Sequence, residues 1–533
     1  MTGKYIWILV LAAMLFLSGC AGSSDSADDD TLHLAMSSEI VTMDVHKTTS
    51  DYLVPMNVFD TLFSVKKMED GSSEIVNNLV ESYEVSKDGL SWHFTLKDGI
   101  VFSDGTPLSA RDVKFTFERI LSLPESTQTD FAILIEGAQD MLDGKASSLR
   151  GITAEDDLNF TIRLTAPFSG FAALLSTPST VILSEKLVTE AKDDFGVLPE
   201  KTIGTGPYII KEWTRGSGLT FEYNPRYRGP EPSAKRVEVK IMEPLVMNLA
   251  FQKGDLDILD CLLLDSAIVE AIYKTDAYRD HIVSTDRLGQ NFLMLNEAVP
   301  PLDNTQVRKA ICHAIDRRSI LNSIYNGDGK LEDGIFTTGS IGFSENNQGW
   351  LKYDPELSRK LLADAGYGNG FDLDLYLDST STDSVKNTLQ IIAENLLDVG
   401  IRTHIRSIDH ASYLDIRGSG KMSAFWSVWL LDYNDPDNII YTFFGSRNNT
   451  KVRSNNYYNE SVIDRVAAAK TIVDQAERLK EYEALEKQII EEDAACVPMF
   501  SLEHLFVVSD RVESFTPHWA GWSDFYLDQI TLK

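Results

Sequence analysis

Leu-Lys-Asp-Gly-Ile-Val-Phe-Ser-Asp-Gly-Thr-Pro-Leu-Ser-Ala-Arg-Asp-Val-Lys-Phe occupies positions 96–115, and most of a strand–turn–helix unit can be read from it. Trp92, Phe94 and Leu96 alternate with polar residues, as in a half-buried strand. Asp98-Gly99 then turns the chain into Ile100-Val101-Phe102, and Asp104-Gly105-Thr106-Pro107 makes a second turn. Ser109 with Asp112 three positions later resembles a capping box. Val113, Phe117, Ile120 and Leu121 recur at i, i+4, i+7 and i+8, so an amphipathic helix is expected over 109–122.

Similar patterns continue along the chain. Val307, Ala310, Ile311, Ala314 and Ile315 mark a second helix, with Asp316 as a break or new cap. Leu373–Leu377 alternates as a strand, Val385–Val399 is helical, Gly400 closes that helix, and Ile401–Ser407 returns as a strand. That β-α-β order implies a parallel pair in a covered sheet. Residues 461–493 are expected to form one or two helices, with Asp474 and Glu477 at a cap and Leu479, Tyr482, Leu485 and Ile489 as the buried stripe. The fold class is α/β.

The amino terminus has its own logic. Lys4 precedes an apolar run from Tyr5 to Leu17, and Leu-Phe-Leu-Ser-Gly-Cys at 15–20 ends it. This is a secretory signal layout with a lipobox; the run is too short to span a bilayer, which needs ~20 residues. Cleavage before Cys20 and lipidation of that cysteine are expected, leaving the mature chain on the outer face of a bacterial membrane or in a periplasm; the bland alternative is a cleaved signal in which Cys20 is incidental. Residues 21–30 (AGSSDSADDD) read as a flexible tether.

Composition excludes several functions. The 533 residues suit two or three domains, and 43% hydrophobic residues are ample for packed cores. No later apolar stretch reaches transmembrane length. A formal net charge of −31 argues against nucleic acid as a partner. Beyond Cys20 only Cys261, Cys312 and Cys496 remain, with no CxxC pair, so one disulfide is possible and its pairing is open. No G-x-S-x-G elbow, Walker loop, dinucleotide fingerprint or HExxH is present, and His404 and His410 read as solvated rather than as metal ligands. No enzyme activity, cofactor or metal is expected.

The densest constellation is FWSVWLLDYNDPDNIIYTFFG at 425–445. Trp426, Trp429 and Tyr433 offer aromatic walls and Asp432 a carboxylate, the components of a small-ligand cleft in which a ligand ammonium is paired. The structural alternative is that the tryptophans are core and Asn434-Asp435-Pro436-Asp437 is a turn. An acidic calcium loop is disfavoured by Pro436 and the missing glycine.

The chain resembles the extracytoplasmic solute-binding proteins of ABC importers in the peptide/nickel class, the dipeptide- and oligopeptide-binding family. The resemblance rests on an ordered series: Leu79–Tyr83, Lys87-Asp-Gly-Leu, 96–115, Ile203-Gly-Thr-Gly-Pro-Tyr208, Asn224-Pro-Arg-Tyr227, Lys253-Gly-Asp-Leu-Asp-Ile258, Asn296–Arg317 and Asp354–Tyr367. It implies a two-lobed periplasmic-binding-protein-like fold of the Venus-flytrap, class II type, with an extra subdomain in the first lobe. By position, lobe I is expected at 31–288 plus 501–533, the subdomain at about 56–200 and lobe II at 289–500. The implied function is that of a lipid-anchored receptor, monomeric, closing on peptides and delivering them to an ABC permease and its ATPase subunits; a receptor for a nickel chelate or another small solute is the alternative. The family's peptide binders hold the ligand ammonium with the carboxylate of a Trp-x-x-Asp segment, which here is Trp429–Asp432. Trp429, Tyr433 and Trp426 would be wall residues and Ser38 would line the cleft. Dipeptide binders carry an arginine before the helix at 385, where this chain has only Lys386; longer peptides therefore fit better.

Overall fold

Strand Ser91–Leu96 buries Trp92, Phe94 and Leu96 on one face, and the turns after it place Gly99 and Gly105 at φ of +76° and +94°, where a side chain would be strained. The helix that follows, Ala110–Ser122, carries the expected capping box: Ser109 N–H donates to Asp112 Oδ2 at 2.8 Å. Val113, Phe117 and Ile120 are fully buried against an antiparallel sheet of strands Val80–Val85, Ser91–Leu96, Asn159–Arg163 and Ile152–Ala154. These details come from a computed structural model that describes residues 30–49, 51–67, 73–264, 266–519 and 525–533. The signal segment with Cys20, and the tether up to residue 29, lie outside the described residues.

The protein has two lobes. A four-stranded sheet orders Thr31–Met36, Arg236–Ile241, Gly218–Tyr223 and Tyr208–Thr214, the first pair parallel and the others antiparallel. A larger mixed sheet runs Ile258–Asp260, Cys496–Val508, Gly289–Leu295, Ala424–Leu430, Phe371–Asp378, Ile401–Ile408. Its far edge is the expected β-α-β unit. Phe371–Asp378 pairs in parallel with Ile401–Ile408 through helix Asp383–Asp398, capped by Thr382 and closed by Gly400 at φ +95°. Leu373, Leu375 and Leu377 are buried, so the period-2 reading holds.

Strand Cys496–Val508 ties three cores together. Cys496, Val497 and Phe500 pack in the largest core, whereas Phe506 and Val507 belong to two others. Its first part pairs with Gly289–Leu295, its middle with Gly329–Leu331 and its last part with Ile282–Asp286. The chain thus passes between the cores along two neighbouring strands, which is how a hinge is built.

One helical stripe differs from expectation. Helices Glu460–Ala469 and Gln475–Lys487 form, and Asp474 accepts from Glu477 N–H at 2.8 Å. Leu479, however, is only half-buried, and the inward position is taken by Arg478. A guanidinium is tolerated there because Asp435 meets it with both carboxylate oxygens. Cys261, Cys312 and Cys496 are free thiols and buried. His404 and His410 are about half-exposed, beside Asp372 and Asp378. No helix among the described residues is long and apolar enough to cross a membrane.

Candidate functional site

Strand Ala424–Leu430 lies between Gly289–Leu295 and Phe371–Asp378, and its alternation sets up the site. Trp426, Val428 and Leu430 face a cavity of about 920 Å³. Opposite them stand Leu262, Leu264, Val269 and Leu505, of which all but Leu262 belong to the small core around Leu256 and Leu259. Tyr325, Asp328 and the segment Ser381–Val385 line it from the core that contains Trp426. The cavity therefore opens between two packed bodies and is large enough for a short peptide.

Trp426 and Trp429 separate here. Trp426 is 7% exposed, packs on Phe500 with ring centroids 5.8 Å apart, and lines the cavity. Trp429 lies on the other face of the strand, because residues three apart in a strand point to opposite sides. Its ring meets Phe443 edge-on at 5.8 Å, the Arg453 guanidinium lies 4.7 Å from its centroid, and its indole N–H donates to Asn438 Oδ1 at 2.9 Å. Of the two tryptophans expected as wall residues, Trp426 lines this cavity and Trp429 is not among its lining residues.

Asp432 follows the strand and is half-buried. Asn438 Nδ2 donates to its Oδ2 at 3.1 Å, and its own N–H donates to Asn438 Oδ1 at 3.2 Å. Burial pushes its carboxyl above the usual aspartate range; the Asn438 bond and the Arg453 charge oppose that shift, and Asp130 adds to it. No salt bridge to Asp432 exists among the described residues. Across from it, its charge reaches the Tyr52 phenol, which burial also pushes up. The groups its charge reaches, Tyr52 in the core around Leu32 and Leu34 and Asp130 beside Phe131 of the core built on strands 80–96 and 152–163, lie outside its own core, while Asn438 holds it from its own.

Tyr433 does not line the cavity. Its ring meets Phe168 edge-on at 6.3 Å and packs against the core built on strands 80–96 and 152–163. Burial, with Asp437 next, raises its phenol well above the ordinary value. Asp435 caps helix Pro436–Phe444 by accepting from Asp437 N–H at 2.9 Å and is ion-paired to the fully buried Arg478. Asp437 is pushed up to about 7, by burial first and then by Asp435.

Ser38 sits on an exposed bend after strand Thr31–Met36 and is not among the cavity-lining residues. Lys386 donates to Asp383 at 2.9 Å on the same helix and is not among the cavity-lining residues, whereas Ser381–Val385 and Asn387 are. The structure therefore brings Asp432 and Trp429 together through Asn438, places Tyr433 beside them on an inter-body contact, and puts Trp426 in the cavity apart from them. Asn438, Arg453, Asp328 and Glu503 were not anticipated. Asp328 lies in Asn-Gly-Asp-Gly at 326–329, which signals a turn and nothing more; Asn438 has no local signal at all. Among the described residues no group of three or more His, Cys, Asp or Glu could hold a metal ion.

Comparison with known proteins bears on this arrangement. Residues 74–451 match the family model described as bacterial extracellular solute-binding proteins, family 5 Middle. The Escherichia coli (strain K12) protein named "Probable D,D-dipeptide-binding periplasmic protein DdpA" is 28% identical over 496 residues, covering 92% of this chain and 90% of the relative. Heme-binding protein A of Haemophilus influenzae (strain ATCC 51907 / DSM 11121 / KW20 / Rd) is 25% identical over 488 residues, covering 88% and 86%. Among solved structures, the unliganded open form of the periplasmic murein tripeptide binding protein MppA superposes with a TM-score of 0.80 at 22% identity, over 95% of this chain and 98% of that one.

Proposed function

From the premise that the chain belongs to family 5 of the bacterial extracellular solute-binding proteins, and so is the substrate-binding receptor of an ABC importer rather than an enzyme, we propose that its cargo is peptide, with oligopeptides favoured. The observation that carries this reading is Asp432: a half-buried carboxylate oriented by a neutral amide, without an ion-pair partner among the described residues, whose charge reaches groups outside its own core. A ligand ammonium supplies the charge such a group lacks, and a desolvated charge-assisted bond is stronger than an exposed one. The name of the 28% identical relative, "Probable D,D-dipeptide-binding periplasmic protein DdpA", supports peptide as the class. Lys386, engaged by Asp383, is not positioned as a clamp for a dipeptide carboxylate, which favours longer peptides.

In this reading lobe I is 31–288 with 501–533, with its subdomain at about 56–200, and lobe II is 289–500; the strand passages at 286–289 and 500–503 support that division. Ligand contacts on both lobes favour the closed state by differential affinity, and the permease reads that state. Trp429 acts through Asn438, Tyr433 through the lobe contact, and Cys20 carries a lipid that holds the receptor at the outer face of the membrane.

Denaturing the purified full-length protein and weighing what it releases tests the cargo. A ladder of short peptide masses is expected. Release of haem, a nickel chelate or another single non-peptide mass would refute peptide as the cargo. Cys20→Ala should abolish membrane association, and unchanged association would refute the anchor.

A further inference from the structure

The cavity facing Trp426 has a charge pattern that the peptide reading does not use. Its charged lining residues are Arg287, Asp328, Asp383 and Glu503, three carboxylates against one guanidinium. Lys386 already engages Asp383. Asp328 and Glu503 remain without an ion-pair partner among the described residues, and they are neighbours: Glu503 N–H donates to Asp328 O at 3.3 Å. Among the described residues, the Asp328 carboxylate is met by a neutral phenol: Tyr273 O–H donates to its Oδ1 at 2.6 Å. Tyr273 packs with the core around Leu256 and Leu259, so this bond crosses from one body to the other at the cavity's edge.

The same cavity supplies the apolar surface a long side chain needs: Leu262, Val428, Leu505 and Trp426 line it together with Asp328 and Glu503.

We propose that this cavity selects peptides bearing a cationic side chain, lysine or arginine, whose charge is taken by Asp328 and Glu503. The proposal rests on the peptide reading and specifies its ligand. Physically, Asp328 is held above the usual aspartate range by burial, with the Glu503 charge pushing the same way. A ligand cation between the two carboxylates relieves both effects, whereas a ligand carboxylate would aggravate them. The aliphatic stem of the side chain would lie along Leu262, Val428 and Leu505.

Titration calorimetry of the full-length protein with alanine tri- to pentapeptides, each carrying one lysine or one glutamate in turn, tests this. Lysine at one position should tighten binding about tenfold or more over the all-alanine peptide, and glutamate there should weaken it. Asp328→Asn and Glu503→Gln should each bring the lysine-to-alanine affinity ratio towards one. Equal affinities for lysine and alanine peptides at every position, or a ratio untouched in both variants, would overturn the proposal. If no peptide binds, the cargo reading has failed; spermidine is then the probe. Spermidine binding that weakens in Asp328→Asn would sustain the cavity's preference for cations, and no spermidine binding would overturn that preference as well.

Discussion

Asn438 grips Asp432 from two sides. Its amide nitrogen donates to the carboxylate at 3.1 Å, and its amide oxygen accepts the Asp432 backbone N–H at 3.2 Å and the Trp429 indole N–H at 2.9 Å. The amide therefore couples a strand residue, a loop carboxylate and the first turn of helix Pro436–Phe444. Asn438→Ala should lower peptide affinity by about 1–2 kcal/mol, because Asp432 loses a directed bond and the indole N–H loses its acceptor. Calorimetry with any accepted peptide checks this; unchanged affinity would show that Asp432 needs no positioning.

Removing the charge itself should matter more. Asp432→Asn should weaken peptide binding by about 2–5 kcal/mol, since an ammonium would be desolvated without its counter-charge. The pH dependence follows with a definite sign. Burial holds the Asp432 carboxyl above the usual range, so its ionised form disappears as pH falls sooner than an ordinary aspartate's would. Wild-type affinity should therefore decline on mild acidification, and the asparagine variant should lose most of that decline. A profile identical in both proteins would refute a role for Asp432 in ammonium binding.

How much of this could be read in the chain depends on the range of the interaction. Local signals carried well: the Ser109 capping box and the Asp474 and Asp316 caps form from contacts within a few residues, and the β-α-β unit is announced by the periodicity of its three consecutive elements and the closing Gly400. The site was legible only as a segment. Residues 425–445 stand out, but the spacing of Trp426 and Trp429 has meaning only once their segment is known to be a strand, where period 2 sends them apart. Arg478 illustrates the other failure. Helical spacing favours Leu479 inward, and nothing near Arg478 announces Asp435, 43 residues away, as the partner that makes its burial tolerable. Asp328 and Glu503 share a cavity only through strand pairing across 175 positions, which no local pattern encodes.

That buried ion pair predicts a large effect on stability. Arg478 is 0% and Asp435 5% exposed, and Asp437, without an ion-pair partner among the described residues, lies close enough for Asp435 to raise its pKa. Arg478→Met should destabilise by about 3–5 kcal/mol, because it leaves uncompensated carboxyls beneath the loop that carries Asp432. Adding Asp435→Asn to that variant should recover part of the loss, a non-additivity that a double-mutant cycle in urea measures. Simple additivity would mean that the two side chains do not act as a pair.

The buried carboxyls Glu332 and Glu486 make stability fall as pH rises. Glu332 accepts from Ser501 Oγ at 2.8 Å and Thr338 N–H at 3.0 Å; Glu486 accepts from Phe336 N–H at 2.8 Å and Asn347 Nδ2 at 2.6 Å. Burial pushes Glu332 up to about 7, and burial with the Glu332 charge pushes Glu486 up to about 8. Both folded values lie above the unfolded one, so the native state keeps protons that the unfolded chain has released. Their contribution is complete below the ordinary glutamate range and is lost as pH climbs towards about 8. Glu297, pushed up to about 7 chiefly by burial, adds with the same sign. The urea midpoint should therefore drop between pH 5 and pH 9. Glu486→Gln, which stays neutral throughout, should flatten that drop and overtake the wild type at the alkaline end. An unchanged slope in the glutamine variant would place the titration elsewhere and make Glu486 an ordinary ionised carboxylate.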